Sequence, residues 1–475
     1  MSIAADSKPE TSAAPAEAAA AARTSLSGAD AFWLRLDHPT NLMTINGVML
    51  FEAPPDLARL RDVLARRIVP LPRFRARVVR PARGRPYWEP DPAFDLDRHV
   101  VRETLPAGSG EAALRELVGR LMSEPLDAGH PLWRFHLVEG GAPAIVGRFH
   151  HCIGDGVGLL VAMLALTDTR PDEPAGAGDN PFVELLRGGG QGFERAWRRV
   201  EELMPDGATL MRRPAEILAS TGLLRRTAAA AWALARIALL PPDSSTAFNT
   251  GSLSIGKRAG WSRSIPLAEV RETARALGGT VNDVLLAAMA GALRRWLLER
   301  GGEAGCKDFR AAVPVSLRPV QQLAAMGNEF GLVFLTLPVA TEDFRERLAE
   351  VRCRMAALKR SAAAPATLAT IRLAGRLPPA IQRLVVRLFA TKATAVMTNV
   401  PGPSRELYLA GQRIRDVLFW VPRAAELSLG VSILSYAGGV RLGLAADAGV
   451  VPDPQRIVDA FHDELDEVRA LSRRP

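Results

Sequence analysis

The sequence predicts an α+β protein of two domains. The chain has 475 residues, more than one ordinary core organises, so two domains are expected. Hydrophobic residues make up 48% of it, enough for sizeable cores. Apolar runs that read as strands and helices follow one another irregularly, with a hairpin among them. That pattern differs from the strict strand–helix–strand units of a doubly wound parallel sheet.

The elements follow in order. Residues 1–24 are rich in Ala, Ser, Pro and Glu and lack the basic start and apolar core of a signal peptide. They read as a disordered tail. A first domain is expected over 25–180. Within it, 43–52 and 74–79 read as strands, and 56–67 and 110–122 as helices. Residues 133–138 and 144–149 read as two strands joined by Glu139-Gly140-Gly141-Ala142-Pro143, a hairpin. Residues 157–166 read as a buried helix, and 170–192, rich in Pro, Gly and Asp, as surface loop. Residues 181–260 are expected to form a helical segment and crossover, with breaks at Pro205 and Pro214. The second domain is expected over 261–475. It opens with helices over 267–277 and 280–299, separated by Gly278-Gly279. A strand over 330–339 and a helix over 341–359 follow. Strands over 395–399, 417–421, 427–434 and 440–445 come next, and a helix over 453–471 closes the chain.

Charge and cysteine usage exclude several classes. The formal net charge is +9 and the pI about 10.1, but only five residues are Lys (Lys8, Lys257, Lys307, Lys359 and Lys392), so the basicity is almost all Arg. Aromatic residues are only 6%, and no nucleic-acid-binding module is visible, so nucleic acid is not an expected partner. No apolar run reaches the length that spans a bilayer. Three scattered cysteines (Cys152, Cys306 and Cys353) make neither a disulfide framework nor a metal site, and a reducing, cytoplasmic setting fits. One stretch, 211–240, sets Arg212, Arg213, Arg225, Arg226 and Arg236 among Ala and Leu. Arg225 and Arg236 share a helix face, and Leu223, Trp232 and Leu234 offer apolar contacts. Such a helix could lie on a lipid interface, or pack on the protein with its Arg side chains in water.

The candidate chemistry sits at Phe149-His150-His151-Cys152-Ile153-Gly154-Asp155-Gly156, between a predicted strand and a predicted helix. Adjacent strand residues point to opposite faces, so only one histidine can face a given cleft. The other is expected to be packed or hydrogen-bonded. A neutral imidazole near pH 7 can take a proton from a hydroxyl. No Gly-x-Ser-x-Gly elbow accompanies it, which argues for direct attack by an activated alcohol rather than an acyl-enzyme. Asp155 reads as helix N-cap or ion-pair partner, with Gly156 relieving crowding at the turn. The competing structural account is two satisfied core histidines. Farther on, Thr280 and Asp283 have capping-box spacing. That leaves Asp283 a structural role or a role in a cleft, while Asn282 carries an amide able to position a carbonyl.

His150-His151-Cys152-Ile153-Gly154-Asp155-Gly156 matches the HHxxxDG motif of the CoA-dependent acyltransferase superfamily, which includes nonribosomal peptide condensation domains. Over roughly residues 24–470 the chain resembles, more specifically, the bacterial wax ester synthase/diacylglycerol acyltransferase family. The resemblance is carried by Leu26-Ser27-Gly28-Ala29-Asp30-Ala31-Phe32, Pro131-Leu132-Trp133, Thr280-Val281-Asn282-Asp283, Val313-Pro314-Val315-Ser316-Leu317-Arg318, Gly327-Asn328 and Thr398-Asn399-Val400-Pro401-Gly402-Pro403, in that order. Asn41-Leu42-Met43-Thr44-Ile45 departs from the commoner sequence after the opening motif, which bears on substrate preference. The resemblance implies two chloramphenicol-acetyltransferase-like domains with a catalytic channel between them. It implies an O-acyltransferase using acyl-CoA as co-substrate, with no metal or other cofactor, and diacylglycerol or a long-chain alcohol as acceptor. His151 would be the general base, and His150, Asp155 and Gly156 would complete the catalytic motif. Pro131, Leu132, Trp133, Asn282, Asp283, Arg318 and Asn399 would be substrate-binding or structural motif residues, Arg318 as a partner for Asp155. Contact with the inner membrane face or lipid droplets would follow from the acceptor. The rival expectations are a condensation-type enzyme using a carrier-bound acyl group and a non-catalytic acyl-lipid binding protein.

Overall fold

The structure is a computed structural model that describes residues 23–472 except 83, 174–179, 188–190, 207–234, 236–238, 320–321, 323–325, 362 and 424–425. Two large sheets organise it. The first runs in the order Tyr408–Leu409, Gln412–Trp420, Thr44–Phe51, Ala144–His150, Trp133–Glu139, Val100–Thr104. Trp133–Glu139 and Ala144–His150 form the expected antiparallel hairpin, Trp133 opposite Phe149. Every residue of Ala144–His150 is buried, as a strand covered on both faces requires, so the chain enters the HHxxxDG motif from the middle of a core.

The second sheet runs Phe330–Leu337, Phe309–Ser316, Ala395–Pro401, Leu429–Tyr436, Gly439–Asp447, Lys257–Trp261. Its central pairs are parallel. The helix Val281–Gly305 is buried without interruption from Asp283 to Leu293. From Val284 to Leu293 it is apolar all round because this stretch is core, with Gln455–Ser472, Phe344–Lys359 and Leu267–Ala276 packed around the helix. Among the described residues no single helix is long and apolar enough to cross a membrane.

The sheets do not divide the chain at one place. Gln412–Trp420, expected within the 261–475 domain, lies antiparallel on Thr44–Phe51 of the first sheet. Pro401-Gly402-Pro403 carries the chain out of the second sheet, since proline cannot donate to a ladder. The two-residue turn Ala410-Gly411, both at positive φ (50° and 84°), then reverses it into a hairpin. Other expectations shift locally. Residues 74–79 begin as the helical turn Pro72–Arg75 and become strand at Ala76–Val79. The expected loop 170–192 contains the helix Pro181–Arg187. Pro181 opens it, the Asn180 side chain accepts from Phe182 N–H at 2.8 Å, and Phe182, Leu185 and Leu186 are buried. Thr24, expected in the tail, pairs with Trp88. Two helices, Ala363–Ala374 and Pro379–Ala390, were not expected from the sequence. The arginines of the 211–240 stretch lie outside the described residues.

The opening motif has a packing reason. The helix Gly28–Leu36 crosses the end of Ala363–Ala374 so closely that a Cβ on Gly28 would stand 2.4 Å from the Arg372 carbonyl oxygen. One on Gly375 would stand 1.6 Å from that of Gly28. Alanine normally favours a helix over glycine by about 1 kcal/mol, but a backbone contact at this distance cannot relax. Gly28→Ala is therefore expected to destabilise by about 1–3 kcal/mol, read as a lower thermal midpoint by circular dichroism. An unchanged or raised midpoint refutes the close crossing.

Candidate active site

The strand Ala144–His150 ends at the motif, and the helix Gly156–Ala165 begins right after it. Asp155 caps that helix, its Oδ1 accepting from Gly158 N–H at 2.8 Å. The two histidines diverge as strand alternation requires. His150 turns into the core. Its Nδ1 accepts from Cys152 N–H at 3.1 Å, which leaves the proton of the neutral ring on Nε2. Asp37 Oδ1 is 3.8 Å from Nε2, and burial pushes the His150 pKa down to about 3.

His151 lies where the two halves of the chain meet. Its ring stacks on Trp33 from the first half, centroids 4.6 Å apart, and meets Phe330 from the second at 5.3 Å. Its N–H donates to the Met43 carbonyl at 2.7 Å, and its carbonyl accepts from Asn328 Nδ2 at 2.7 Å. Burial holds the imidazole below its ordinary pKa, while its own carbonyl, Asp155, Asn328 and Asp30 pull the other way. The ring is therefore neutral at pH 7. Among the described residues four buried polar atoms here have no hydrogen-bond partner: His151 Nδ1, His150 Nε2, Trp33 Nε1 and Asn328 Oδ1. Buried polar groups are rarely left so, and their gathering at one place marks a site.

The motif loop is held from several directions. Arg318, 3.1 Å from Asp155 Oδ2, is as buried as its partner. It also donates to the carbonyls of Gln322, Met326 and Gly327 at 3.2, 2.7 and 2.5 Å. Asp155 Oδ2 accepts from Glu329 N–H at 3.0 Å. The Gly327 carbonyl accepts from Asp155 N–H at 3.0 Å, and Gly327 N–H donates to Ile153 at 3.2 Å. Positive φ at Met326 (52°) and Gly327 (85°) turns the chain back for these contacts. Arg73 donates to the carbonyls of Cys152 and Ile153, both at 3.0 Å, and pairs with Asp30 at 3.1 Å. Asn328 reaches Asp30 at 2.8 Å. Asp155 is thus both cap and ion-pair partner. Gly156 is not there to relieve crowding: a Cβ on it would meet only Val421, at 3.9 Å, and nothing else in the structure explains the glycine.

The remaining motif residues divide. Trp133 is core: Nε1 donates to the Phe74 carbonyl at 2.9 Å and the ring stacks on His99 at 4.3 Å. Leu132 is also buried, and its carbonyl accepts from His150 N–H at 2.9 Å. Pro131-Leu132-Trp133 therefore sets the strand beside the motif. Asn399 donates to Asn282 Oδ1 at 2.6 Å, tying the strand Ala395–Pro401 to the start of Val281–Gly305. Asp283 closes a capping box, accepting from Thr280 N–H at 3.0 Å and Oγ1 at 2.7 Å. That is a structural role. Among the described residues no hydrogen bond joins Asn282, Asp283 or Asn399 to the motif loop, and no group of His, Cys, Asp and Glu is placed to hold a metal ion. Sequence reasoning gave Asp30 and Asn328 motif membership without a role. Trp33, Arg73 and Phe330 carried no signal at all.

Asp155→Asn retains a capping side chain but leaves Arg318 buried without its counter-charge. It is expected to cost about 3 kcal/mol and to lower activity in proportion to the protein unfolded or misaligned. Chemical denaturation paired with an activity assay checks this. Full stability without activity would mean that Asp155 touches the chemistry itself.

The model of the wax ester synthase/diacylglycerol acyltransferase catalytic domain matches residues 26–285, and that of the family's C-terminal domain matches 326–469. A putative diacylglycerol O-acyltransferase of Mycobacterium bovis is 32% identical over 444 residues, 91% of this chain and 92% of that one. A probable diacylglycerol O-acyltransferase of Mycobacterium tuberculosis matches with the same identity and coverage. Among solved structures, the wax ester synthase/diacylglycerol acyltransferase from Marinobacter aquaeolei VT8 superposes with a TM-score of 0.67 at 24% identity, over 94% of this chain and 99% of that one. The first condensation domain of the CDA synthetase superposes at 0.58 and 15%, over 95% and 97%. The fold is the two-domain, chloramphenicol-acetyltransferase-like one that these proteins share. The chain belongs to the wax ester synthase/diacylglycerol acyltransferase family and is an acyltransferase.

Proposed function

We propose that the protein moves a long-chain acyl group from acyl-CoA to the hydroxyl of diacylglycerol, or of a long-chain alcohol, with His151 as general base. The observation that carries this is the neutral His151 ring packed against both Trp33 and Phe330, which also stack on each other at 5.4 Å, at the junction of the halves where a channel between domains would run. An imidazole nitrogen takes the acceptor's hydroxyl proton as the oxygen attacks the thioester carbonyl. The C–O bond forms, the C–S bond breaks, and the imidazolium returns the proton to the departing sulfur. A positioned base supplies about 10²–10⁴-fold, and orientation and electrostatic stabilisation supply the rest. His150, with Nδ1 occupied, supports the turn. The relatives' names favour diacylglycerol as acceptor, and such an acceptor puts the protein at the surface of a membrane or lipid droplet on the cytoplasmic side.

The test is thiol release by purified protein given acyl-CoA and either diacylglycerol or hexadecanol. No release with either acceptor overturns the reading; release only from a carrier-bound acyl group would make this a condensation-type enzyme. His151→Ala should lose at least about 100-fold in kcat at unchanged thermal midpoint, and a well-folded variant with wild-type turnover removes His151 as base. The pH profile has a definite sign. With the His151 pKa below its ordinary 6.5, the acid limb of activity should be centred below pH 6.5, activity falling as acid protonates the ring. An acid limb centred well above pH 6.5 contradicts a base of lowered pKa.

A further inference from the structure

The acyl transfer reading leaves open how a water-insoluble acceptor reaches a buried histidine, and the helix Pro379–Ala390 bears on that. Six large apolar side chains are exposed among the described residues, and four of them, Leu373, Ile381, Leu384 and Leu388, fall within sixteen residues. Ile381, Leu384 and Leu388 recur at helical spacing on one face, with exposures of 46, 68 and 40%. A single exposed leucine is ordinary, but a contiguous stripe is not. Beside the stripe Val385, and opposite it Val386, are partly buried and pack on the cluster containing Trp33 and Phe330. Those two rings and the His151 ring are in mutual contact, with centroids 4.6, 5.3 and 5.4 Å apart.

Charge indicates what covers the stripe. From 351 to 405 the sequence has ten Lys or Arg residues and no Asp or Glu. Arg387 stands about 60° round the helix from Leu384, and Arg376 lies in the turn before the helix. Both are exposed, and neither forms an ion pair among the described residues. An apolar stripe edged by free cations, with no carboxylate nearby in sequence, matches an anionic lipid surface. Apolar side chains enter the acyl boundary while arginines stay with the head groups.

We infer that Pro379–Ala390 is the protein's lipid-docking helix, laying Ile381, Leu384 and Leu388 into an anionic bilayer or droplet surface beside the cluster that contains Trp33 and Phe330. The inference rests on the acyl transfer reading for its purpose but is tested without it, by vesicle binding in the absence of acyl-CoA. Full-length protein is expected to co-sediment with phosphatidylcholine vesicles containing phosphatidylglycerol. Binding should be weaker with pure phosphatidylcholine and should weaken as salt rises. The triple variant Ile381→Ser, Leu384→Ser, Leu388→Ser should bind about tenfold less or worse, with an unchanged far-ultraviolet spectrum. Arg376→Gln with Arg387→Gln should bind several-fold less and lose much of the salt sensitivity. A Leu384→Trp variant, which keeps the stripe apolar, should show a blue shift of emission on adding these vesicles. Absence of wild-type binding, equal binding by the triple variant, or an unshifted Leu384→Trp spectrum each overturns the inference. If the triple variant binds vesicles normally but changes oligomeric state, the stripe is a contact between copies of the chain. If replacing Arg225, Arg226 and Arg236 abolishes binding and the triple variant does not, the contact belongs to the 211–240 stretch.

Discussion

The buried pair Asp155–Arg318 is the constraint on which the site depends. Both side chains are almost fully out of water, where either alone would be unaffordable. Each is therefore surrounded by partners. Asp155 takes an N–H from its own helix and one from Glu329, and the two terminal nitrogens of Arg318 also donate to the carbonyls of 322, 326 and 327, while its Nε has no partner among the described residues. One partner belongs to the motif of the first half of the chain and the other to the second half. The interaction that completes the Asp155 cap thus also fixes the two halves at the place where His151 lies. Buried ion pairs are weak arguments for stability but good ones for geometry, because few arrangements satisfy every donor and acceptor.

His151 is positioned by the same contacts at one remove. Its carbonyl is held by Asn328, next to the residue whose carbonyl receives both Arg318 and Asp155 N–H. Asn328 in turn reaches Asp30, which Arg73 holds while also binding the loop carbonyls at 152 and 153. The ring is left to aromatic packing rather than to a carboxylate. In a Ser-His-Asp arrangement an acid fixes the imidazole tautomer and stabilises the cation that forms. Here the nearby Asp155 is committed to Arg318. Removal from water dominates at His151 and favours the uncharged ring.

The hairpin, the motif turn, the Asp155 cap and the Thr280–Asp283 capping box were legible because each is a local signal. Apolar alternation and side-chain-to-backbone bonding act over three or four residues. The pairing of Asp155 with Arg318 was available only through family resemblance, since nothing local links residues 163 apart. The packing of Trp33 and Phe330 against His151 was hidden for the same reason. Trp33 and Phe330 look like any core aromatic until the fold stacks them on one imidazole. The crossing of Gln412–Trp420 into the first sheet was illegible because a strand's sequence states that one face is buried, not in which sheet. Gly156 remains a motif residue that geometry does not account for.

Burial and access make opposite demands on this histidine. Under the proposed base role, a histidine kept neutral by burial is best served by a substrate that brings little water with it. That favours an apolar route over an aqueous cleft. The helix Pro379–Ala390, proposed as the lipid-docking helix, has Val385 and Val386 packed on the aromatic cluster and leaves Ile381, Leu384 and Leu388 exposed. The sequence directed attention instead to 211–240, because Arg among Ala and Leu looks interfacial wherever it occurs. The discriminating property is not composition but whether the apolar face is already occupied. The side chains of Val281–Gly305 show the contrast: from Val284 to Leu293 that helix is continuously apolar, yet this stretch is enclosed by its neighbours. An apolar helix that the fold has already wrapped has no surface left to give a membrane, whereas a short one left half-open does.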